Sequence, residues 1–275
     1  MTARIDASSD GPAIAYDIAG EGPTVIFLHG IGGNRTNWHP QFRPVVATGF
    51  RAVAWDARGY GDSDDYDGPL HFTDFSRDLR RLVDHLQLTR AHFCGLSMGG
   101  RILFDFYRQH SACVETLILC DTFAAFDASF TPDKRAEFVR LRKQPLLEGK
   151  TPREMAPAVA KSLLGPNHTA AHFERLVESM AALHKDSYIK TIEATTHYDN
   201  EATVGDIDCP TLLVYGEHDT LTPPAIGKTL NAAIKTSRLE VIADAGHLVN
   251  IEQPDAFNRC LVSFLVEHRN VRLRG

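Results

Sequence analysis

Short runs of Val, Ile, Leu and Phe recur along the chain, separated by longer segments that are apolar on one side only. Apolar runs without strict alternation predict strands that are buried on both faces of a sheet. The predicted strands are Ala13–Ile18, Thr24–Leu28, Arg51–Trp55, Ala91–Cys94, Glu115–Cys120, Thr211–Tyr215 and Arg238–Ile242. Amphipathic helices are predicted between them, for example at Phe72–Gln87 and Ser97–Gln109. This alternation predicts an α/β protein with a mostly parallel sheet and helices on both faces.

The pattern changes between residues 126 and 196, where we predict helices and no strand. Thr131-Pro132 places a capping residue before a first-turn proline, and Thr151-Pro152-Arg153-Glu154 has the pattern of a capping box. Residues 1–125 and 197–275 are therefore predicted to form one α/β core. Residues 126–196 are predicted to form a helical cap inserted into that core.

Composition narrows the class of protein. The chain has 275 residues, of which 43% are apolar and 23% are charged, as is usual for a globular protein. The net charge of −6 argues against a nucleic-acid partner, because backbone phosphates require a basic face. The longest apolar runs fall far short of the ~20 residues that a spanning helix needs, so we expect no membrane association.

The cysteines and the N-terminus bear on the compartment. Five scattered cysteines favour reduced thiols over a disulfide framework. The residues after Met1 include no apolar stretch of the kind that a secretory signal has. We therefore expect a cytoplasmic protein. The sequence leaves the oligomeric state open, and a homo-oligomer is compatible with it.

Gly95-Leu96-Ser97-Met98-Gly99 matches the pattern G-x-S-x-G directly after one predicted strand and directly before a predicted helix. In that context the motif predicts a nucleophile elbow. The serine of an elbow occupies a strained turn, so the residues two positions away must be small enough for strand and helix to approach. Ser97 is therefore the predicted nucleophile. A glycine-rich structural turn is the alternative interpretation.

A second glycine-rich loop, His29-Gly30-Ile31-Gly32-Gly33, follows the strand Thr24–Leu28. A tetrahedral oxyanion requires two backbone donors that are already in place. We predict that the N–H groups of Ile31 and Met98 are these donors. A plain turn or a phosphate-binding loop is the alternative, although Arg35 occupies the position of the third glycine in the dinucleotide fingerprint.

A nucleophilic serine needs a base, and the base needs an acid that orients it. His247 is the predicted base because it follows the last predicted strand. Asp219 follows the strand Thr211–Tyr215 and gives the chain order Ser, Asp, His. Asp121, at the end of the preceding strand, is the alternative acid. No metal and no cofactor are predicted.

This ordered set of motifs resembles the α/β-hydrolase superfamily over essentially the whole chain, and the helical insertion resembles the cap of that family. The segments around Ser97 and His247 are most similar to the 3-oxoadipate enol-lactonase-like esterases. In those lactonases an Asn-Ser-Leu-Gly loop is common where this chain has His29-Gly30-Ile31-Gly32. Haloalkane dehalogenases and epoxide hydrolases of the fold carry aspartate at the elbow, so Ser97 argues against both activities.

The residues and the resemblance together predict a cofactor-free hydrolase of small carboxylic esters or lactones, which acts through an acyl-enzyme. Hydrolysis of a C–C bond in a ring-cleavage product, or perhydrolysis, could use the same triad. A non-catalytic ligand receptor is the alternative from another class. The predicted substrate-pocket residues are Gly30, Trp38, Phe123, Phe126 and Leu248.

Overall fold

The computed structural model describes residues 1–8, 10–126, 131–196 and 198–269. One eight-stranded sheet forms its centre. The strands are β1 (Thr2–Ile5), β2 (Ile14–Ala19), β3 (Thr24–Leu28), β4 (Arg51–Trp55), β5 (Ala91–Leu96), β6 (Val114–Cys120), β7 (Thr211–Gly216) and β8 (Ser237–Ile242). Their order in the sheet is β1-β2-β4-β3-β5-β6-β7-β8. Strand β2 pairs antiparallel with β1 and β4, and the remaining pairs are parallel.

Helices connect most of the strands. They are α1 (His39–Ala47), α2 (Thr73–His85), α3 (Met98–His110), α4 (Pro132–Leu147), α5 (Pro152–Leu163), α6 (Ala170–Ala181), α7 (Lys185–Thr196), α8 (Glu201–Val204), α9 (Pro224–Ala233), α10 (Val249–Glu252) and α11 (Pro254–Glu267). Short 3-10 helices lie at Arg35–Trp38 and Ser111–Cys113. Among the described residues, no helix combines the length and the apolar character needed to cross a membrane.

Strand β3 shows why the centre of the sheet is apolar throughout. Val25 and Phe27 face a core cluster that includes residues of α1 and α11. Ile26 and Leu28 face the opposite cluster, with residues of α2 and α3. Both faces are thus covered by helices, and the predicted mostly parallel, doubly covered sheet is confirmed.

The sequence pattern does not predict β1 and α1, nor the short helices α8 and α10 and the two 3-10 helices. Strand β1 is short, polar and mostly exposed at the edge of the sheet, so it has no apolar run. Helix α1 contains Pro40 and Pro44, which argue against a helix on local grounds. Pro44 cannot donate to the carbonyl of Pro40, but the Asn258 side chain on α11 donates to that carbonyl at 3.2 Å. A contact from a distant helix therefore satisfies the group that the proline leaves free.

Helices α4 to α7 occupy the segment predicted as the cap, between β6 and β7. The capping box at the start of α5 is confirmed. The Thr151 hydroxyl accepts from the Glu154 N–H at 3.3 Å, and the Glu154 carboxylate accepts from the Thr151 N–H at 2.8 Å. The division into core and cap stays a prediction, and residues 127–130 and 197, near its two ends, lie outside the described residues.

Candidate active site

Ser97 occupies a strained turn between β5 and α3. Its φ of 52° and ψ of −110° lie in a region that residues other than glycine rarely adopt. A Cβ on Gly95 would lie 2.5 Å from the carbonyl carbon of Gly99, and one on Gly99 would lie 2.3 Å from the Leu28 oxygen. The glycines on either side of Ser97 therefore allow the helix to start directly against the sheet.

Hydrogen bonds hold this turn from the neighbouring strand. The Ser97 N–H donates to the Cys120 oxygen at 2.9 Å, and the Thr122 hydroxyl donates to the Ser97 oxygen at 2.7 Å. A Cβ on Gly30 would lie 3.5 Å from the Ser97 Cβ, so the glycine-rich loop after β3 is in van der Waals reach of Ser97. The side chain of Ser97 remains half-buried.

The loop after β3 is braced by His29, which is buried. The His29 Nδ1–H donates to the Gly30 oxygen at 2.8 Å, and Nε2 accepts from the Ala57 N–H at 3.1 Å. These roles require a neutral imidazole, and burial lowers the pKa of His29. Within the described residues, the N–H groups of Ile31 and Met98 donate no hydrogen bond, so both are available to an anion.

His247 and Asp219 form a buried pair at the carboxyl ends of the strands. His247 Nδ1 lies 2.7 Å from Asp219 Oδ2. The N–H groups of Leu221 and Thr222 donate to Asp219 Oδ1 at 2.8 and 3.0 Å, and the Thr222 hydroxyl donates to Oδ2. Burial would raise the pKa of Asp219, but hydrogen bonds from His247 and Thr222 outweigh it and lower that pKa. Sequence reasoning missed Thr222, which a Ser/Thr-after-Asp turn pattern could have indicated.

Asp121, the alternative acid, is engaged elsewhere. Its Oδ1 accepts from the Gly216 N–H at 2.8 Å, and its Oδ2 accepts from the Val249 N–H at 3.4 Å. Burial and the charge of Asp219 raise the pKa of Asp121 well above its ordinary value. Within the described residues, Asp219 is the carboxylate that is hydrogen-bonded to His247. Asp121 instead binds the backbone at the end of β7 and at the start of α10.

Ser97 and His247 are not hydrogen-bonded to each other within the described residues. Both follow parallel strands at the same edge of the sheet, Ser97 after β5 and His247 after β8. In free enzymes such contacts are commonly long and tighten when substrate binds. The arrangement therefore supplies an oriented imidazole, a strained serine and two free N–H groups at one sheet edge.

The predicted pocket residues differ in how close they lie to Ser97 and His247. Trp38 is fully buried and its ring packs 5.0 Å from Phe27 and 6.1 Å from Phe257. This packing is what a core tryptophan shows, and the predicted place of Trp38 in a substrate pocket stays a prediction. Gly30 lies against Ser97, and Leu248 directly follows His247 and is almost fully buried.

Phe123 and Phe126 lie around Arg101, a buried residue that sequence reasoning missed. The Arg101 guanidinium lies 4.8 Å from the Phe123 ring centre and 5.4 Å from that of Phe126. It donates to the carbonyl oxygens of Thr195 and Tyr198, and burial lowers its pKa to about 10. Arg101 thus ties α3, the helix that follows Ser97, to the end of the predicted cap.

Comparison with known proteins agrees with this geometry. A family model described as the alpha/beta hydrolase fold matches residues 23–254. A 2-hydroxy-6-oxononadienedioate/2-hydroxy-6-oxononatrienedioate hydrolase from Escherichia coli K12 is 30% identical, over 92% of this chain and 90% of its own length.

Solved structures add two similar proteins. A thermophilic esterase from Thermogutta terrifontis, bound to malate, is 27% identical with a TM-score of 0.89, over 98% of this chain and 100% of that one. The enol-lactonase from Burkholderia xenovorans LB400 is 29% identical with a TM-score of 0.80, over 93% and 97%. The resemblance inferred from the motifs is confirmed at the level of the superfamily. The chain belongs to the α/β-hydrolase fold family.

Proposed function

We propose that this protein is a serine hydrolase of small carboxylic esters or lactones, with Ser97 as nucleophile, His247 as base and Asp219 as orienting acid. One observation carries the proposal: a buried 2.7 Å His247–Asp219 pair lies at the same sheet edge as a serine in an elbow turn. The esterase and the enol-lactonase described above support the substrate class.

The proposed reaction proceeds in two halves. Ser97 Oγ attacks the carbonyl carbon while His247 Nε2 takes its proton, and Asp219 stabilises the imidazolium that forms. The N–H groups of Ile31 and Met98 bind the oxyanion. His247 then gives the proton to the alkoxide as the ester bond breaks. The acyl group stays bound to Ser97 as an acyl-enzyme. Water then attacks the acyl carbon while His247 takes its proton. His247 gives this proton to Ser97 Oγ as the bond to the acyl group breaks and the acid is released.

Hydrolysis of a C–C bond is the second candidate. The 30% identical relative from Escherichia coli acts on an oxo-dienedioate, and the same three residues could hydrolyse a vinylogous diketone. Leu96 precedes the serine here, where the C–C hydrolases of the family often have a polar residue. This difference favours the ester or lactone reaction.

The test is a hydrolysis panel of p-nitrophenyl acetate, small lactones and a ring-fission diketone, with Ser97→Ala beside the wild type. Because the nucleophile is lost, we expect ester turnover to fall by at least ~10³-fold. A fluorophosphonate should label the wild type but not this variant. Exposed Ser111 offers the matched control, and Ser111→Ala should keep both activities.

Other outcomes of the panel are equally informative. Full ester turnover by Ser97→Ala would rule out the assignment. Turnover of the diketone without turnover of any ester would favour the C–C reaction. Transfer of the acyl group to added hydrogen peroxide in preference to water would favour perhydrolysis.

A further inference from the structure

Glu252, at the end of α10, is a buried carboxylate outside the triad. It is 4% exposed. Its Oε1 accepts from the N–H groups of Gly246 and Leu248 at 3.0 and 3.2 Å, and its Oε2 accepts from the Gly165 N–H at 2.7 Å. Among the ion pairs of the described residues, none involves Glu252. Its surroundings are therefore backbone N–H groups rather than a cation.

The two oxygens of Glu252 face different parts of the fold. Gly246 and Leu248 are the residues on either side of His247, so Oε1 holds the peptide groups that carry the imidazole. Gly165 lies between α5 and α6, in the predicted cap. One side chain thus connects the loop of the catalytic base to the cap.

The cap also contacts this loop directly. The His247 N–H donates to the Leu163 oxygen at the end of α5, at 2.8 Å. A Cβ on Gly246 would lie 2.4 Å from the Gly165 nitrogen, and a Cβ on Gly165 would lie 2.7 Å from the Gly246 nitrogen. The two backbones touch with no side chain between them, so a shift of one displaces the other.

We propose that Glu252 is a positioning residue that couples the placement of the cap to the orientation of His247. This inference rests on the proposed function, in which His247 moves the proton of Ser97. A misplacement of about 1 Å at a reacting group can cost on the order of 100-fold in rate. The contacts of Glu252 fix the peptide groups that determine where the imidazole points.

Glu252→Gln is the direct test because it conserves shape. The amide of glutamine has one oxygen and one NH₂ group. The NH₂ group would therefore face backbone N–H groups, either that of Gly165 or those of Gly246 and Leu248, and could not accept from them. We expect kcat for p-nitrophenyl acetate to fall about tenfold or more, with KM changed less than about threefold. Amide hydrogen exchange should accelerate in residues 163–166 and 246–248, while the central strands keep their protection.

The matched control is Glu217→Gln. Glu217 is exposed and accepts one backbone N–H, from Asp244 at 3.3 Å, in the neighbouring loop. It should keep wild-type kcat and exchange. Gly165→Ala disturbs the same contact from the cap side, because its added Cβ would lie 2.7 Å from the Gly246 nitrogen. It should reproduce the kinetic and exchange changes of Glu252→Gln while Glu252 and His247 themselves are unchanged.

Three outcomes would overturn the coupling. Glu252→Gln could keep wild-type kcat and wild-type exchange, or its exchange could accelerate on one side of the contact only. Its activity could also fall in proportion to the number of sites that react with fluorophosphonate, which would mean fewer intact sites rather than slower ones. The exchange measurement needs no substrate. If the wild type hydrolyses no ester while Glu252→Gln still accelerates exchange on both sides of the contact, that result would contradict the proposed function and leave the coupling supported.

Discussion

The two carboxylates beside the loops that hold Ser97 and His247 have pKa values shifted in opposite directions. Hydrogen bonds from His247 and Thr222 lower the pKa of Asp219 against the effect of burial. Burial and the neighbouring Asp219 charge raise the pKa of Asp121. A shared site favours one charge because like charges in a low dielectric repel strongly. Asp219 therefore keeps the charge that an imidazolium needs, whereas burial and the Asp219 charge make ionisation of Asp121 less favourable.

Isosteric variants separate the two roles. Asp219→Asn removes the charge and favours the wrong tautomer of His247, so we expect kcat to fall on the order of 10³–10⁴-fold, as for the triad aspartate of serine proteases. Asp121→Asn leaves the Asp219–His247 pair in place but turns an NH₂ group toward the N–H of Gly216 or of Val249, so we expect a smaller loss of kcat, about tenfold. Steady-state kinetics on p-nitrophenyl acetate measure both. An equal loss of kcat in Asp219→Asn and Asp121→Asn would contradict the conclusion that Asp219, and not Asp121, orients His247.

At the scale of residues, the sequence predicts those contacts that follow from the order of the strands. Asp219 and His247 follow strands whose carboxyl ends share one edge, so their meeting is predictable. The brace from Thr222 and the coupling through Glu252 depend on turns whose conformation a sequence does not fix. The placement of Trp38 depends on which face of the loop the indole takes, and packing against Phe27 and Phe257 decides it.

At the scale of elements, α7 is held against the core by a cluster around Asp65. His184 Nδ1 lies 2.9 Å from Asp65 Oδ1, and Nε2 lies 3.0 Å from the Gly61 oxygen. Ser187 donates to the same carboxylate at 2.6 Å, and Lys190 donates to the Tyr66 oxygen at 2.8 Å. Both ring nitrogens of His184 therefore face oxygen atoms of residues 61–65.

Acid should loosen this contact. Burial raises the pKa of Asp65, but hydrogen bonds from Ser187 and His184 outweigh it and lower that pKa below the ordinary value. The carboxylate therefore stabilises the docked helix above its ordinary pKa, and this stabilisation is lost as pH falls below about 4. Protection factors for residues 184–190 should fall between pH 7 and pH 3.

Asp65→Asn should lower those protection factors at pH 7 and reduce their dependence on pH. Asp67, two residues on and exposed, supplies the control, since Asp67→Asn leaves the cluster intact. Protection in Asp65→Asn that equals the wild type at every pH would show that the cluster does not hold α7.

The same scale shows where local sequence suffices for the fold. The strand, elbow and helix around Ser97 are contiguous, and the pattern predicts all three. Helix α1 is supported across the chain by α11 through Asn258, and β1 depends on pairing with β2. Neither long-range support is visible in a window of neighbouring residues, so neither element is predicted.

At the scale of the whole molecule, a histidine inside the sheet sets part of the response to pH. His92 on β5 is buried and bonded to the Thr116 hydroxyl at 2.9 Å. Burial, with the nearby charges of His268 and Arg90, lowers its pKa to about 4. The unfolded chain binds a proton near pH 6.5, whereas the folded chain does not until about pH 4. Stability is therefore lost as pH falls through that window.

The free energy of unfolding should drop by about 3 kcal/mol between pH 7 and pH 4 on account of this residue. Urea unfolding across that range measures the drop. His92→Asn should flatten the curve because asparagine does not titrate, while His71→Asn, at an exposed position, should leave the slope unchanged. An equally steep curve in His92→Asn would assign the acid sensitivity to other groups.

The backbone contact between Gly165 and Gly246 has a consequence for how such proteins can be recombined. A cap transplanted from a relative would bring its own turn between α5 and α6 and press it against a foreign loop at His247. We therefore expect the exchangeable module to be the predicted cap together with residues 244–252, although nearly 50 residues separate the two in the chain. Chimeras built on that joint boundary should keep an oriented base, whereas chimeras cut at the cap alone should inherit a mismatched one.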